Sequence, residues 1–493
     1  MNLPATLKKL LPFAALPLLL AVLVLLLTDT PSMPSREVHG ENGVWDLRGF
    51  DFENYTAILT GELAYIPNAL LTPEEFAARS GEIVTGNVGD TVDVNFLTSR
   101  DIILLPGEGW FTFTRSSITY AQRQYVNGEW LSNTGRGRPG QSRETNIPDT
   151  GWITFTAQPQ DGAIELVQQS SNFVHRQGNR HWAWQISSGT GLVYQSRAGD
   201  FRQGIVMGSF FLLFLLFALL YFMMQRNRAV LYFALFCLMW FLRVGITGTR
   251  AFTVLAPWLS WDMKFRIEYF SIPVAAILTL AIIDALFPKV LNKAAIRVLY
   301  IISAAFIALY ALADTVFISR AGLVAYVIFG VAILYVLGSF VCKVRGVNLG
   351  QGIFIGGMVV FLFAAISDII LFSFYNIGVH ILPFEATGMA VLIFALCEAA
   401  AVFIATMREV ESARAKEREL LRMTDFYRRM AHELLTPLTR VSVGIQESLH
   451  FPEEAAENLR EAQAEIMSMS EKINRALDDS EGGGATDEDN PVR

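Results

Sequence analysis

Apolar positions dominate seven consecutive stretches of the chain: Gly204–Met224, Ala229–Thr247, Ile267–Phe287, Ile296–Ile318, Ala321–Val341, Gly352–Phe374 and Leu382–Met407. Each is long enough to cross a hydrocarbon core of about 30 Å as a helix. An earlier apolar run, Leu10–Leu27, follows Lys8 and Lys9 and has the form of an export signal. No clean small-x-small site follows it, and its length also suits an anchor. Residues 1–30 are therefore either a signal peptide or a signal anchor.

From residue 37 to residue 200 the pattern changes to short alternating or β-rich segments. Thr91–Leu97, Trp110–Thr114, Trp152–Ala157, Ala163–Gln168 and Trp182–Ile186 predict strands. Asn127-Gly128 and the cluster from Asn133 to Gly140 predict turns between them. Many short strands with little helix predict an all-β sandwich or jelly roll. One helix is expected at Pro73–Arg79, with Thr72 as its N-cap. Trp45, Trp110, Trp130, Trp182 and Trp184 are candidates either to stack on a sugar face or to fill the sandwich core.

Charge orients the spans. The connections after spans one, three and five carry Arg226 and Arg228, then Lys289, Lys293 and Arg297, then Lys343 and Arg345. Those after spans four and six carry Arg320 alone and no Lys or Arg, while the connection after span two is mixed, with Arg250, Lys264 and Arg266. The excess of positive charge on the cytoplasmic side places the β domain (37–200) outside and the C-terminus in the cytoplasm. An odd number of spans requires the same reversal.

Ionisable side chains cost on the order of 2.5–3.5 kcal/mol each at the bilayer centre. Arg243 and Asp368 both fall in the outer half of the bundle (204–407) and are expected to pair there. Asp284 and Glu398 lie nearer the cytoplasmic side. These charges are too few to form a repeated ion pathway, which argues against transport.

Past Met407 the sequence is polar and helix-prone, with no Gly or Pro from Arg408 to Leu420, so the seventh span is expected to continue as a signalling helix (408–425). Apolar residues at Met423, Phe426, Met430, Leu434, Leu438, Val441 and Ile445 then make one helical stripe. His432 stands two residues from Met430 and from Leu434, a rotation of about 200° that turns it away from the stripe. A break at His450-Phe451-Pro452 precedes a second helix with Leu459, Ala462, Ile466, Met469, Ile473 and Leu477, a strict alternation of three and four. One hairpin (426–478) cannot bury both stripes; a four-helix bundle made by two chains can, so a parallel homodimer is expected. The acidic, glycine-rich tail, 479–493, is expected to be disordered.

Composition agrees with this division. The 493 residues are 52% hydrophobic and the formal charge is −7, with a mean hydropathy of +0.38. That is too apolar for a soluble protein, and no basic tract points to nucleic acid as a partner. Cys237, Cys342 and Cys397 all lie in apolar runs and lack metal-ligand spacing, so no metal site is expected.

The chemistry gathers at Phe426-Tyr427-Arg428-Arg429-Met430-Ala431-His432-Glu433-Leu434-Leu435-Thr436-Pro437-Leu438. An exposed imidazole can attack a phosphoryl group and hold it as phosphohistidine. Glu433 can hydrogen-bond the other ring nitrogen or accept a proton, which keeps the attacking nitrogen free. Thr436, one turn on, shares the face of His432 and can orient a water. Pro437 removes a backbone hydrogen bond and permits a bend behind the histidine.

This stretch resembles the H-box of sensor histidine kinases. The resemblance implies that His432 is the phosphoacceptor, Glu433 its acid/base helper and Thr436 the residue that assists phosphatase action. Leu435 departs from the pattern, which usually has Arg or Lys there.

A second resemblance covers Val44-Trp45-Asp46-Leu47, Leu59-Thr60-Gly61-Glu62-Leu63 and Leu70-Leu71-Thr72-Pro73-Glu74-Glu75-Phe76. These segments look like the outer domain of bacterial seven-transmembrane receptors with diverse intracellular signalling modules, whose outer domains are jelly rolls similar to carbohydrate-binding modules. The two resemblances together imply a multi-pass sensor of the bacterial inner membrane. They also imply an external small-molecule ligand, a carbohydrate among the options, and a cognate response regulator.

Histidine kinases carry an ATP-binding domain after the second helix. Here Gly482-Gly483-Gly484 has the character of a flexible linker, so ATP and Mg are expected to reach His432 only through an ATP-binding domain beyond Arg493 or one acting in trans. Two readings stay open. One is a two-component sensor of the histidine kinase family; the other is a non-enzymatic receptor or regulatory partner that dimerises with a complete kinase.

Overall fold

The computed structural model describes residues 33–131, 137–176, 178–223, 227–288, 290–343, 349–374, 385–450, 453 and 455–482. The export segment and residues 483–493 lie outside them. The chain divides into two compact units, Met1–Ala405 and Thr406–Arg493.

Among the described residues the first unit opens with twelve strands: β1 (Ser35–Gly40), β2 (Val44–Asp46), β3 (Thr56–Pro67), β4 (Val84–Asn87), β5 (Thr91–Val92), β6 (Phe96–Leu104), β7 (Phe111–Val126), β8 (Glu129–Trp130), β9 (Asp149–Ala157), β10 (Ala163–Ser171), β11 (Asn179–Arg180) and β12 (Gln185–Ser188). One sheet runs β1-β3-β12-β7-β9; in the other, β10 lies between β7 and β6, and β6 pairs with β2 and β3. Two long strands belong to both sheets. β3 crosses over at Gly61, pairing with β1 before it and with β4 and β6 after it. β7 crosses at a register shift between Ser117 and Tyr120, leaving β9 and β12 for β10. The expected strand Thr91–Leu97 is therefore two pieces, and Trp110–Thr114 is only the start of the longest strand.

The helix α1 (Pro73–Ala78) follows Thr72 in a reciprocal cap: Glu75 Oε2 accepts from the Thr72 N–H at 2.9 Å, and Thr72 Oγ1 accepts from the Glu75 N–H at 3.4 Å. Phe76 is buried beneath it with Ile66 and Leu71. The main core between the sheets holds Trp45, Leu47, Ile103, Phe113, Phe155, Leu166 and Trp184.

Apolar helices follow: α2 (Gly191–Met223), α3 (Arg228–Ile246), the short α4 (Phe252–Leu255), α5 (Trp261–Leu286), α6 (Lys293–Leu312), α7 (Thr315–Lys343), α8 (Leu349–Phe374) and α9 (Glu385–His450). Among the described residues six helices are long and apolar enough to cross a membrane, and Leu349–Phe361 of α8 is a shorter apolar one. Their shared core is aromatic, with Phe217 against Phe233 and Phe394 against Phe236, Phe354 and Phe361.

Several helix boundaries differ from the hydropathy pattern, and two are informative. α2 begins at Gly191 rather than Gly204, so the first span grows directly out of the β domain. The fourth span was expected to reach Ile318, but α6 stops at Leu312 and α7 starts at Thr315. Asp314 is the cause: its Oδ2 accepts from the Val316 N–H at 3.1 Å and caps the new helix.

In the second unit, the C-terminal part of α9 is followed by α10 (Ala455–Gly482). Arg440 donates to Glu465 at 3.2 Å, while Val441 and Ala462 are buried. α10 continues past the expected end at Leu477 as far as Gly482.

Candidate functional site

His432, Glu433, Leu435 and Thr436 are all exposed on α9, whereas Pro437 and Val441 are buried. The helix runs through Pro437 without a break. Pro437 has no N–H to offer a carbonyl one turn back, and the Thr436 hydroxyl donates to the carbonyl of His432 itself, at 3.4 Å. An accessible imidazole, a carboxylate beside it and a hydroxyl one turn on thus share a solvated surface. Val441 and Ala462 of the apolar stripes are covered within the hairpin, while Leu438, Leu459 and Ile466 are each more than half exposed.

A second candidate region lies where the β domain meets the helices. Arg143 pairs with Asp314 in the α6–α7 break. The Arg176 N–H donates to Ser319 Oγ of α7 at 3.0 Å. His175 packs edge-on against Phe265 of α5, ring centroids 6.2 Å apart. Burial, reinforced by Arg176 and Arg250, pushes its imidazole down to about 3. Gln203 of α2 donates to the carbonyls of Val244 and Thr247 and accepts from the Thr249 N–H, which joins the first span to the end of α3. None of these residues was singled out from sequence. Arg143, His175 and Arg176 are isolated polar residues in loops and Gln203 is a lone amide within an apolar helix, and only the fold supplies their partners.

Within the helices, Arg243 Nη1 donates to the Glu268 carbonyl at 2.7 Å and to Ser271 Oγ at 2.6 Å, and its guanidinium lies 5.7 Å from the Trp240 ring centroid. Its described hydrogen-bond partners therefore belong to α5; the side chain of Asp368, on α8, lies outside the described residues. Asp284 is exposed. Glu398 is fully buried, and neither carboxylate oxygen has a hydrogen-bond partner among the described residues.

The aromatic candidates separate by environment. Trp45 and Trp184 are core residues, and the Trp45 indole donates to the Thr60 carbonyl at 2.7 Å. Trp182 is buried beneath Arg180. As a surface platform, Trp45 and Trp182 are excluded, because their ring faces are already covered by protein. Trp110 and Trp130 are exposed, Trp130 with Arg123 over its ring.

Residues 199–404 match the family model described as 7TM diverse intracellular signalling. No curated protein and no solved structure matches the chain. With the apolar helices, this match makes the chain a multi-pass membrane protein whose membrane region is of a signalling-receptor type.

Proposed function

We propose that the chain is the membrane sensor of a two-component signalling system and that His432 is its phosphoacceptor. The observation that carries the reading is the exposed His432-Glu433-Thr436 face downstream of a receptor-type membrane region. Seven spans, with α8 among them, hold the β domain outside the bacterial inner membrane and the C-terminus in the cytoplasm. A ligand outside alters the contacts at the outer helix ends. The change travels along α9, which has no Gly or Pro between Met407 and Phe426, and alters access to His432.

The chemistry at His432 balances simply. A ring nitrogen lone pair attacks the γ-phosphorus of ATP held by an ATP-binding domain, in cis or in trans. An N–P bond forms and ADP leaves. Glu433 holds the proton on the other ring nitrogen. The phosphoryl group then passes to a response regulator, and Thr436 orients the water that removes it when the output is phosphatase action.

Two copies supply the four-helix bundle that covers Leu438, Leu459 and Ile466. The same stripe favours a second reading, a non-enzymatic receptor that dimerises with a complete histidine kinase through this hairpin. The two readings part at one point, phosphate on His432. Orientation tests what they share. In a chain whose own cysteines are replaced, Trp110→Cys is expected to react with an impermeant thiol reagent on intact spheroplasts and Met423→Cys only after permeabilisation. The reverse pattern sinks both readings.

A further inference from the structure

The interior of the β sandwich changes character along its strands. One half is apolar, lined by Ile103, Leu105, Ile164 and Phe113. Trp184 marks the boundary: Phe113 and Phe155 pack edge-on against its ring, and the Arg115 guanidinium lies over it at 4.1 Å. Beyond Trp184 the interior is polar.

Register explains how this arises. Ser99 of β6, Gln168 of β10 and Gln124 of β7 are direct partners across three neighbouring strands, so their side chains project to one face. Asp101, two residues from Ser99, shares that face. From the other sheet Arg115, two residues past Phe113, reaches over and donates to Gln122 and Gln168. Ser99, Asp101, Arg115 and Gln124 are each no more than 2% exposed.

Asp101 Oδ2 accepts from the Trp184 indole at 3.2 Å, and His181 Nε2 lies 3.2 Å from the same oxygen. The other carboxylate oxygen, the Ser99 hydroxyl and both ends of the Gln124 amide have no hydrogen-bond partner among the described residues. Each such group is costly when left alone, and native interiors seldom keep several together. Here two acceptors, one donor and one hydroxyl of either kind share one face. Arg115 and Asp101 balance each other in charge, so a ligand with a net charge would add an uncompensated ion to a buried interior.

We propose that this polar half is a binding site for a small solute of no net charge with several hydrogen-bond donors and acceptors, a polyol or a zwitterionic amino acid. Its place connects it to the helices. β10 leads from Gln168 into the loop that carries His175 to Phe265 and Arg176 to Ser319. Ser171, the last residue of β10, accepts from the Gly140 N–H and donates to Asn146, anchoring the segment that brings Arg143 to Asp314.

The proposal deepens the receptor reading and rests on it for its consequence, but binding itself does not involve His432. The test is titration calorimetry on the full chain in lipid nanodiscs, with myo-inositol and D-glucose as the polyol arm and L-serine and L-glutamine as the zwitterion arm. Saturable binding is expected in one arm, weakened about ten-fold or more by Ser99→Ala or Gln124→Met and unchanged by His432→Gln. A thermal melt confirms that each variant is folded, and Ser99→Ala keeps the test open if Gln124→Met does not fold. No saturable binding in either arm, or binding that both substitutions leave intact, overturns the proposal.

Discussion

The indole N–H of Trp184 donates to the carboxylate of Asp101 at 3.2 Å, tying the two sheets together at the boundary between the apolar and polar halves of the sandwich. Trp184→Phe removes that donor from a buried acid and leaves space among Phe113, Phe155 and Arg115. A loss of at least about 2 kcal/mol of stability is expected. Asp101→Asn keeps an acceptor and is expected to cost less. Denaturant unfolding followed by near-ultraviolet dichroism measures both, and equal losses would contradict this account of the bond.

Gly61 makes the sheet crossing of β3 possible. Its φ is +97°, and a Cβ there would lie 2.3 Å from the Gly40 carbonyl oxygen. Gly61→Ala is expected to destabilise the chain by about 1–3 kcal/mol. Gly107, with φ +58° and open space around it, is the control, and Gly107→Ala should show the smaller loss. Thermal melts of the two variants decide between a steric and a purely conformational role.

His175 predicts a pH dependence. The half-buried imidazole sits at about 3 in the folded chain, against an ordinary value near 6.5 when unfolded. Between those values the unfolded state binds the extra proton, so stability falls as pH drops from about 6.5 towards 3. The melting midpoint of the wild type should therefore decline from pH 7 to pH 5 more steeply than that of His175→Asn. Parallel curves would mean that His175 is not held neutral against the helices.

The helices were legible because hydropathy over some twenty residues is a property of sequence alone. Asp314 marks the limit of that signal. One acid in an apolar stretch reads as a tolerated charge until its carboxylate is seen capping α7. The strands were legible where residues alternate, as at Ala163–Gln168. The crossings at Gly61 and at Ser117/Tyr120 were not, because a strand that serves two sheets keeps the same local pattern throughout. The polar interior was hidden for a related reason. Ser99, Gln124 and Gln168 look like solvent-facing positions, and only their register shows them facing inward. The His432 stretch can be read without the fold because its spacing is local, and the structure adds only that it is exposed.

The uncovered stripe of α10 predicts association. Ile466 is 53% exposed at an inner position of the alternation of three and four. Ile466→Cys in a chain without its other cysteines is expected to form a disulfide between two copies under mild oxidation. Ile466→Asp is expected to convert the detergent-solubilised dimer to monomer by light scattering. A monomeric wild type would remove the homodimer.

Phosphate on His432 tests the central claim most directly. The full chain, incubated with an isolated histidine-kinase ATP-binding domain and labelled ATP, is expected to gain an acid-labile, base-stable label. Glu433→Gln should slow the labelling and His432→Gln abolish it. No label, or a label that survives His432→Gln, would contradict the account and leave the hairpin as a partner surface alone.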